Sequence, residues 1–209
     1  AITCNAVISA CEKGERWQFA LCFLGRMQHL QLSTGTISWN AAISAGGKGN
    51  QWSMVLYLLQ QMQELRAMQD AVTLGAAISA CEASRRWRLA LTFLLHMQHQ
   101  ELRPSMIACN AAVSACEKGR CWQQALQLLS FVLQQQHLTP DVISFSAAVL
   151  ACVGSRQWSW ALRCLTVMAR SKVEPDMTIY KALLMECEQQ DLLGCKADLL
   201  QSLIVGSVR

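Results

Sequence analysis

Apolar side chains recur along the chain with the period of an α-helix. One predicted helical face begins at Trp17 and ends at Met27, and its members stand at i, i+3, i+4, i+7 and i+10. The same face begins again at Trp87 and at Trp158. Ahead of the first face, residues 6–11 are mainly small, and small side chains allow two helix axes to approach closely. The pattern therefore predicts pairs of packed helices.

The connection inside each pair is predicted to be a short turn. Glycine follows lysine between the two helices at Gly14, Gly49 and Gly119. Glycine at this point suits a residue that ends a helix in the left-handed conformation. Proline follows the second helix in three pairs, where a helix is expected to stop. These prolines are Pro104, Pro140 and Pro175.

The predicted hairpin repeats at a fixed interval. The segment Asn-Ala-Ala-Ile-Ser-Ala at residues 40–45 recurs with small changes near residues 5, 75, 110 and 146. A tryptophan follows each copy, at intervals of 35, 35, 35 and 36 residues. One hairpin cannot bury its own apolar faces, so consecutive hairpins are expected to stack. We predict an all-α fold, a right-handed α-solenoid of 35-residue repeats forming one domain over 1–209. Its repeats are 1–35, 36–70, 71–105, 106–141 and 142–176, with a degenerate or partial repeat at 177–209.

Composition excludes several classes of protein. The chain has 209 residues, of which 53% are hydrophobic and 15% charged, with a net charge of +4, so a disordered chain or a strongly basic arm is not expected. No run approaches the roughly 18 apolar residues of a membrane span, so no membrane partner is expected. Eleven cysteines, an odd number with no Cys-x-x-Cys pair, favour a reduced compartment. The chain opens inside a patterned segment, and we expect it to be a fragment.

No motif typical of catalysis or cofactor binding is present. There is no phosphate-binding glycine loop, no nucleophile elbow and no pair of catalytic carboxylates. Cysteines in phase with the repeat are expected to pack inside rather than to bind metal. His29 and His99 have no accompanying cluster of ligands. We expect no enzyme activity, no metal, no cofactor and no small-molecule substrate.

A polar stripe runs along the first helix of each repeat. In the second repeat it includes Ile37, Asn40 and Ser44, and stacking places equivalent residues side by side. Asparagine donates and accepts hydrogen bonds, and repeat proteins can read one unpaired base per repeat with two or three side chains. The alternative is that these asparagines cap or brace the first helix.

The repeat resembles the pentatricopeptide repeat, an RNA-binding family. The family's opening motif, Val-Thr-Tyr-Asn, is matched by residues 2–5, 37–40 and 142–146, and its closing Pro-Asp by residues 140–141 and 175–176. Regular spacing favours the plain P-type array. Tetratricopeptide repeats differ because their tryptophan lies early in the first helix, and HEAT and armadillo repeats are longer.

The resemblance implies roles for individual residues. In the family, the fifth and last residues of a repeat select the base, and an aliphatic second residue wedges against neighbouring bases. The implied base-reading residues are Asn5, Asn40, Asp70, Ser105, Asn110, Asp141, Ser146 and Asp176. The implied wedges are Ile2, Ile37, Val72, Ile107 and Ile143.

The pairs of base-reading residues imply a target. Asn followed by a closing Asp, as in the second and fourth repeats, matches the family pair for uracil. Ser146 with Asp176 is similar to the family pair for guanine, whereas Gly35 and Gly75 leave the first and third repeats with little discrimination. The implied target is N-U-N-U-G, read in parallel with the chain. Lys181 departs from the pattern and leaves the sixth repeat without an assignment.

Basic residues are needed as well, because RNA carries a charged backbone. Lys13, Lys48 and Lys118 lie in phase at the end of the first helix and are candidates for phosphate contact. The alternative is that they are solvated turn lysines. Glutamates at 12, 82 and 117 lie beside them and reduce the positive field.

The expected function is sequence-dependent binding of single-stranded RNA, which supports RNA processing, stability or translation without catalysis. RNA-processing proteins are a further expected class of partner. The family implies a mitochondrion or a plastid as the location. The rival interpretation is a protein–protein interaction scaffold of the tetratricopeptide type, whose groove would favour varied residues and a carboxylate clamp.

Overall fold

The computed structural model describes residues 2–14, 16–30, 34–135 and 137–189, with side chains described between residues 4 and 186 of those ranges. Within them the chain forms eleven α-helices and no strand. The first helices of the hairpins are α1 (Ile2–Lys13), α3 (Thr36–Lys48), α5 (Ala71–Ala83), α7 (Met106–Lys118), α9 (Val142–Gly154) and α11 (Met177–Gln189). The second helices are α2 (Trp17–His29), α4 (Trp52–Glu64), α6 (Trp87–His99), α8 (Trp122–Gln134) and α10 (Trp158–Arg170).

The helix bounds follow the sequence period. Every second helix begins at one of the repeated tryptophans, as the apolar pattern predicts. The connection after α8 spans 135–141, one residue longer than the connection after α6 at 100–105, which accounts for the single interval of 36. The prediction of an all-α protein built from packed helical hairpins is confirmed.

The described chain divides into two compact units, residues 1–119 and 120–209. In the first unit, α1 packs on α3, α3 on α5 and α5 on α7, while α2, α4 and α6 pack against the first helices of their own hairpins. In the second unit, α9 packs against α8, α10 and α11. The assignment of the whole chain to one domain stays a prediction.

Small side chains bring the first helices close together, as expected. Ala42 and Ala77 are fully buried, and Ile43 and Ile78 beside them fill the core. At Gly47 an added Cβ atom would lie 3.0 Å from the Cβ atom of Ala80, so glycine permits the close approach of α3 and α5. Within the first unit, the polar stripes of successive first helices therefore lie next to each other.

The predicted role of glycine in the turn was wrong. Gly49 has a φ angle of −76°, and the left-handed conformation falls on the next residue, Asn50, at 57°. No described glycine has a positive φ, so Gly14 and Gly119 do not adopt that conformation either. Glycine is required for space, because a Cβ atom on Gly119 would lie 3.0 Å from Cγ of Trp87.

The in-phase cysteines lie in the interior where the structure describes them. Cys81, Cys116 and Cys152 are buried and Cys11 is half-buried, while the side chain of Cys187 lies outside the described residues. Among the described residues no group of three histidine, cysteine or acidic side chains could hold a metal ion. None of the described helices combines the length and hydrophobicity of a membrane span.

Candidate nucleic-acid interface

The first helices of the first unit form an open groove of about 690 Å³. It runs along α3, α5 and the start of α7, so it follows the polar stripe. Its lining includes three predicted base-reading residues and three predicted wedges. These are Asn40, Asp70 and Ser105, and Ile37, Val72 and Ile107.

The wedges are exposed, although they are branched aliphatic residues. Ile37, Val72 and Ile107 have exposed fractions of 68%, 65% and 76%. Each is the second residue of its repeat, so the helix period presents all three to the groove. In the second unit Ile143 is 60% exposed. The side chain of Ile2, the remaining predicted wedge, lies outside the described residues.

Asn40 and Asp70 are in direct contact in this groove. Nδ2 of Asn40 donates a hydrogen bond to Oδ1 of Asp70 at 3.2 Å. The hydroxyl of Thr73 lies 2.6 Å from Oδ1 of Asn40 and 2.8 Å from Oδ1 of Asp70, and its single proton serves these two acceptors. The fifth residue of one repeat and the last residue of that repeat therefore form one connected polar cluster.

Asp70 holds its position because it caps α5. Its Oδ1 accepts the Thr73 N–H at 2.8 Å, while the Asp70 N–H donates to the Thr73 hydroxyl at 3.2 Å, which completes a capping box. Partial burial by itself raises the pKa of Asp70. Hydrogen bonds from the backbone and hydroxyl of Thr73, the Asn40 amide and the Val72 N–H outweigh burial and hold that pKa below its ordinary value of 3.8. Asp70 therefore presents a carboxylate to the groove.

The first and third repeats present less to the groove. Oδ1 of Asn5 accepts a hydrogen bond from the Ser38 hydroxyl at 2.6 Å, and the residue that closes the first repeat is Gly35. At Gly75 an added Cβ atom would meet only the Cβ of Ala108, at 3.9 Å. Ser105 is exposed, and its hydroxyl caps α7 by accepting the Ala108 N–H at 3.2 Å.

In the second unit the predicted base-reading residues also serve the helices. The Ser146 hydroxyl donates to the carbonyl oxygen of Val142 at 2.6 Å. Asp141 caps α9, and Oδ1 of Asp176 accepts the Ile179 N–H at 3.0 Å at the start of α11. Asn110 belongs to the first unit and Asp141 to the second, so their pairing stays a prediction.

Two of the three predicted phosphate-binding lysines form ion pairs. Nζ of Lys48 lies 3.2 Å from Oε1 of Glu12, and Nζ of Lys118 lies 2.9 Å from Oε1 of Glu82. Both lysines are exposed. Because each has a carboxylate beside it, the positive field around each lysine is reduced. Contact of Lys13, Lys48 and Lys118 with RNA phosphates stays a prediction.

Ser38 and Thr73 were not among the predicted site residues. Both are fully buried, and each hydroxyl reaches the asparagine of the preceding repeat. A signal was available in the sequence, since a serine or threonine recurs at the third position of several repeats. The recurring hydroxyl alone does not identify these residues, because a serine or threonine near the start of a helix is equally typical of a helix cap. The hydrogen bond to the asparagine of the preceding repeat distinguishes the two roles.

These features define a class of protein, an array of helical hairpins with an open polar groove on its first helices. Family models described as "Pentatricopeptide repeat domain" and "PPR repeat" match residues 93–157 and 2–32. These segments of the chain are therefore pentatricopeptide repeats, as the sequence predicts. No curated protein sequence matches it.

Solved structures share the fold. The crystal structure of the pentatricopeptide repeat protein PPR10 from maize matches with a TM-score of 0.75 and 19% identity, over 97% of this chain and 29% of that one. PPR10 in complex with an 18-nt psaJ RNA element matches with a TM-score of 0.62 and 14% identity, over 99% of this chain and 35% of that one. The PPR domain of Arabidopsis thaliana protein-only RNase P 1 in complex with tRNA matches with a TM-score of 0.69 and 14% identity, over 80% of this chain and 87% of that one. The chain thus spans about a third of the PPR10 chains.

Proposed function

We propose that this chain binds single-stranded RNA through the groove on its first helices and reads one base per repeat. The target that its residues favour is N-U-N-U-G, with uracil selected by the second and fourth repeats. The chain itself contributes binding rather than catalysis. Occupation of the strand then supports processing, stability or translation of the RNA in a mitochondrion or plastid, with RNA-processing proteins as further partners.

One observation carries the proposal, the Asn40–Asp70 contact between exposed aliphatic side chains. Ile37 and Val72 line the same groove as the polar pair and are largely exposed. A flat, unpaired base fits such a place, because its faces are apolar and its edge carries hydrogen-bonding groups. A carboxylate and an amide side by side offer both acceptors and donors to that edge.

Two of the solved structures support RNA as the class of ligand. The PPR10 structure and the structure of the Arabidopsis thaliana PPR domain are complexes with a psaJ RNA element and with tRNA. The described helices that line the groove here belong to the same fold. Weak dependence on salt is expected, because the net charge is only +4 and both Lys48 and Lys118 are paired with glutamates.

The experiment measures binding of the purified chain to short labelled RNA strands by fluorescence anisotropy at fixed ionic strength. A strand that carries N-U-N-U-G is expected to bind more tightly than a strand of the same composition in scrambled order. Asn40→Thr is expected to shift the preference at the second base from uracil toward guanine, by roughly five- to tenfold. Gln18→Ala, on the exposed side of α2 and away from the groove, is the matched control and leaves the preference unchanged.

Equal affinity for the target and the scrambled strand would refute base reading. Absence of any RNA binding, together with capture of peptides that compete for the same groove, would favour the scaffold interpretation.

A further inference from the structure

The asparagines at the fifth position of the first two repeats accept hydrogen bonds from hydroxyl groups of the next repeat. The Ser38 hydroxyl donates to Oδ1 of Asn5, and the Thr73 hydroxyl reaches Oδ1 of Asn40, each at 2.6 Å. Both hydroxyl-bearing residues are 0% exposed, whereas both asparagines are half-buried and Asn40 lines the groove. The contact thus joins the buried interior to the surface proposed to meet the base.

The Thr73 hydroxyl and the Asp70 carboxylate together fix which end of the Asn40 amide faces which neighbour. If the Asn40 amide were turned over, its oxygen would lie 3.2 Å from Oδ1 of Asp70, and two acceptors would face each other. The Thr73 hydroxyl accepts a hydrogen bond from the Asp70 N–H and donates its own proton to an acceptor. The two acceptors within reach are Oδ1 of Asn40 and Oδ1 of Asp70. Nδ2 of Asn40 uses one of its two hydrogens for Asp70 and keeps the other to donate to a ligand.

The sequence couples the two positions at every junction between repeats. Asparagine at the fifth position is followed by a hydroxyl residue at the third position of the next repeat three times, as Asn5 with Ser38, Asn40 with Thr73 and Asn110 with Ser144. The two junctions without that asparagine also lack the hydroxyl. They pair Gly75 with Ala108 and Ser146 with Ile179.

The exceptions behave as the coupling requires. Ala108 is buried beside the open space at Gly75, so neither side chain needs a polar partner. Ile179 is 0% exposed and offers no proton, and the Ser146 hydroxyl donates instead to the Val142 carbonyl oxygen of its own helix. Helix capping alone does not explain this pattern, because a cap at the third position would not depend on the fifth residue of the preceding repeat.

We propose that Thr73 is a positioning residue that sets base preference in the repeat preceding its own. The Asn40 oxygen accepts the hydrogen bond of the Thr73 hydroxyl and so is turned away from the base. The amide nitrogen then presents a donor to the base. A donor selects a base edge with a carbonyl acceptor, as in uracil, against an edge with an amino group, as in cytosine. This inference rests on the proposed function, since it concerns the same groove.

The first test removes the Thr73 hydroxyl with an isosteric change, Thr73→Val, and compares uracil with cytosine at the second base of the target. The expected result is a loss of about fivefold in this preference, as for one ordinary hydrogen bond, while the preference at the fourth base is unchanged. Thr73→Ser keeps the hydroxyl and is expected to retain the preference.

Thr73 is buried, so a second test adds the contact where it is missing. Gly75→Asn alone supplies an amide without a partner, and Gly75→Asn with Ala108→Ser supplies both. The double variant is expected to prefer uracil over cytosine at the third base about fivefold more than the single variant does. Circular dichroism melting verifies that each variant is folded.

The outcomes separate the inference from the function on which it rests. If folded Thr73→Val keeps the full preference at the second base, or if the double variant equals Gly75→Asn, the positioning role is overturned and base reading stands. If Thr73→Val weakens the preference at the second and fourth bases alike, its effect is general and the positioning role is also overturned. If the unaltered chain has no preference at the second base, base reading itself falls and the inference falls with it.

Discussion

The indole ring of Trp17 lies where a side chain on Gly49 would have to be. A Cβ atom on Gly49 would stand 2.9 Å from Cγ and 3.0 Å from Nε1 of the indole. Trp87 has the same relation to Gly119, one pair of repeats further along the first unit. The first residue of a second helix thus packs against the turn of the next hairpin, and the glycine makes this contact possible.

Gly49→Ala is therefore expected to lower the free energy of unfolding by about 1–3 kcal/mol, since the added methyl would overlap the rigid indole ring of Trp17. Urea denaturation followed by circular dichroism measures the change. Gly25→Ala is the matched control, because it lies inside α2 with nothing within 4 Å of its Cβ position. That control is expected to raise stability by about 0.5–1 kcal/mol through helix propensity. If Gly49→Ala left the free energy of unfolding unchanged, the indole ring would be free to move away from the added methyl.

Glu12→Gln tests the ion pair with Lys48. The carboxylate also accepts a hydrogen bond from the Ser44 hydroxyl at 2.7 Å, and a glutamine oxygen keeps that acceptor. Both charged groups are partly exposed, so the expected loss of stability is small, about 0.2–1 kcal/mol, and shrinks as salt is added. Denaturation at low and high ionic strength checks this. A larger loss that does not depend on salt would show that the hydrogen bond, rather than the charge, holds the junction.

Asp70→Asn tests the electrostatic part of the polar cluster. Because the folded state lowers the pKa of Asp70, the carboxylate stabilises the fold above the ordinary pKa of 3.8, and this contribution is lost as the pH falls through the lower folded value. The amide in the variant does not titrate. The stability difference between the two proteins is thus expected to be largest near neutral pH and to shrink below about pH 4. A difference that stays constant from pH 7 to pH 3 would contradict the assignment.

Buried thiols are expected to react slowly. Cys81 and Cys109 are 2% and 1% exposed, and burial raises the pKa of each thiol to about 11. Cys22 is exposed on α2 and serves as the reference for alkylation at pH 8, followed by mass spectrometry. We expect Cys22 to be modified first, and the buried pair only as the chain unfolds.

The same thiols predict a limit at alkaline pH. Their raised pKa means that the folded state holds the thiol protons more tightly than the unfolded state does. Their contribution to stability is present below the ordinary thiol pKa of 9.0 and is lost as the pH rises toward about 11. A melting temperature that stays constant between pH 8 and pH 11 would contradict this.

Much of the fold could be predicted from the sequence, since helical period and repeat length are local properties. Five of the seven tryptophans recur in phase and mark the starts of the second helices, because a bulky residue at a constant interval requires a constant packing site. The groove residues Asn40, Asp70 and Ile37 were also predicted to share a surface, and they do. Stacking equivalent helices makes that result follow from the period.

Contacts between repeats could not be predicted in the same way. A left-handed turn at Gly49 is the common reading of a glycine beside a helix end, and it was wrong because the Trp17 ring that requires the glycine lies far away in sequence. The predicted phosphate contact of Lys48 remains a prediction, but the sequence did not show that Glu12 of the preceding hairpin lies 3.2 Å away. In both cases the contacting residue belongs to the adjacent repeat. The pattern of residues within one repeat does not show which residues of the next repeat it will contact.

The amino-acid sequence by itself determined that this chain is a stack of helical hairpins, where each helix lies and which residues form its polar stripe, because these follow from periodicity. Only the tertiary structure decided that the Asn40 amide is oriented by the buried Thr73 hydroxyl and by the Asp70 carboxylate. The reason is physical: a hydrogen bond depends on distances of a few tenths of an ångström, and packing between successive repeats sets those distances.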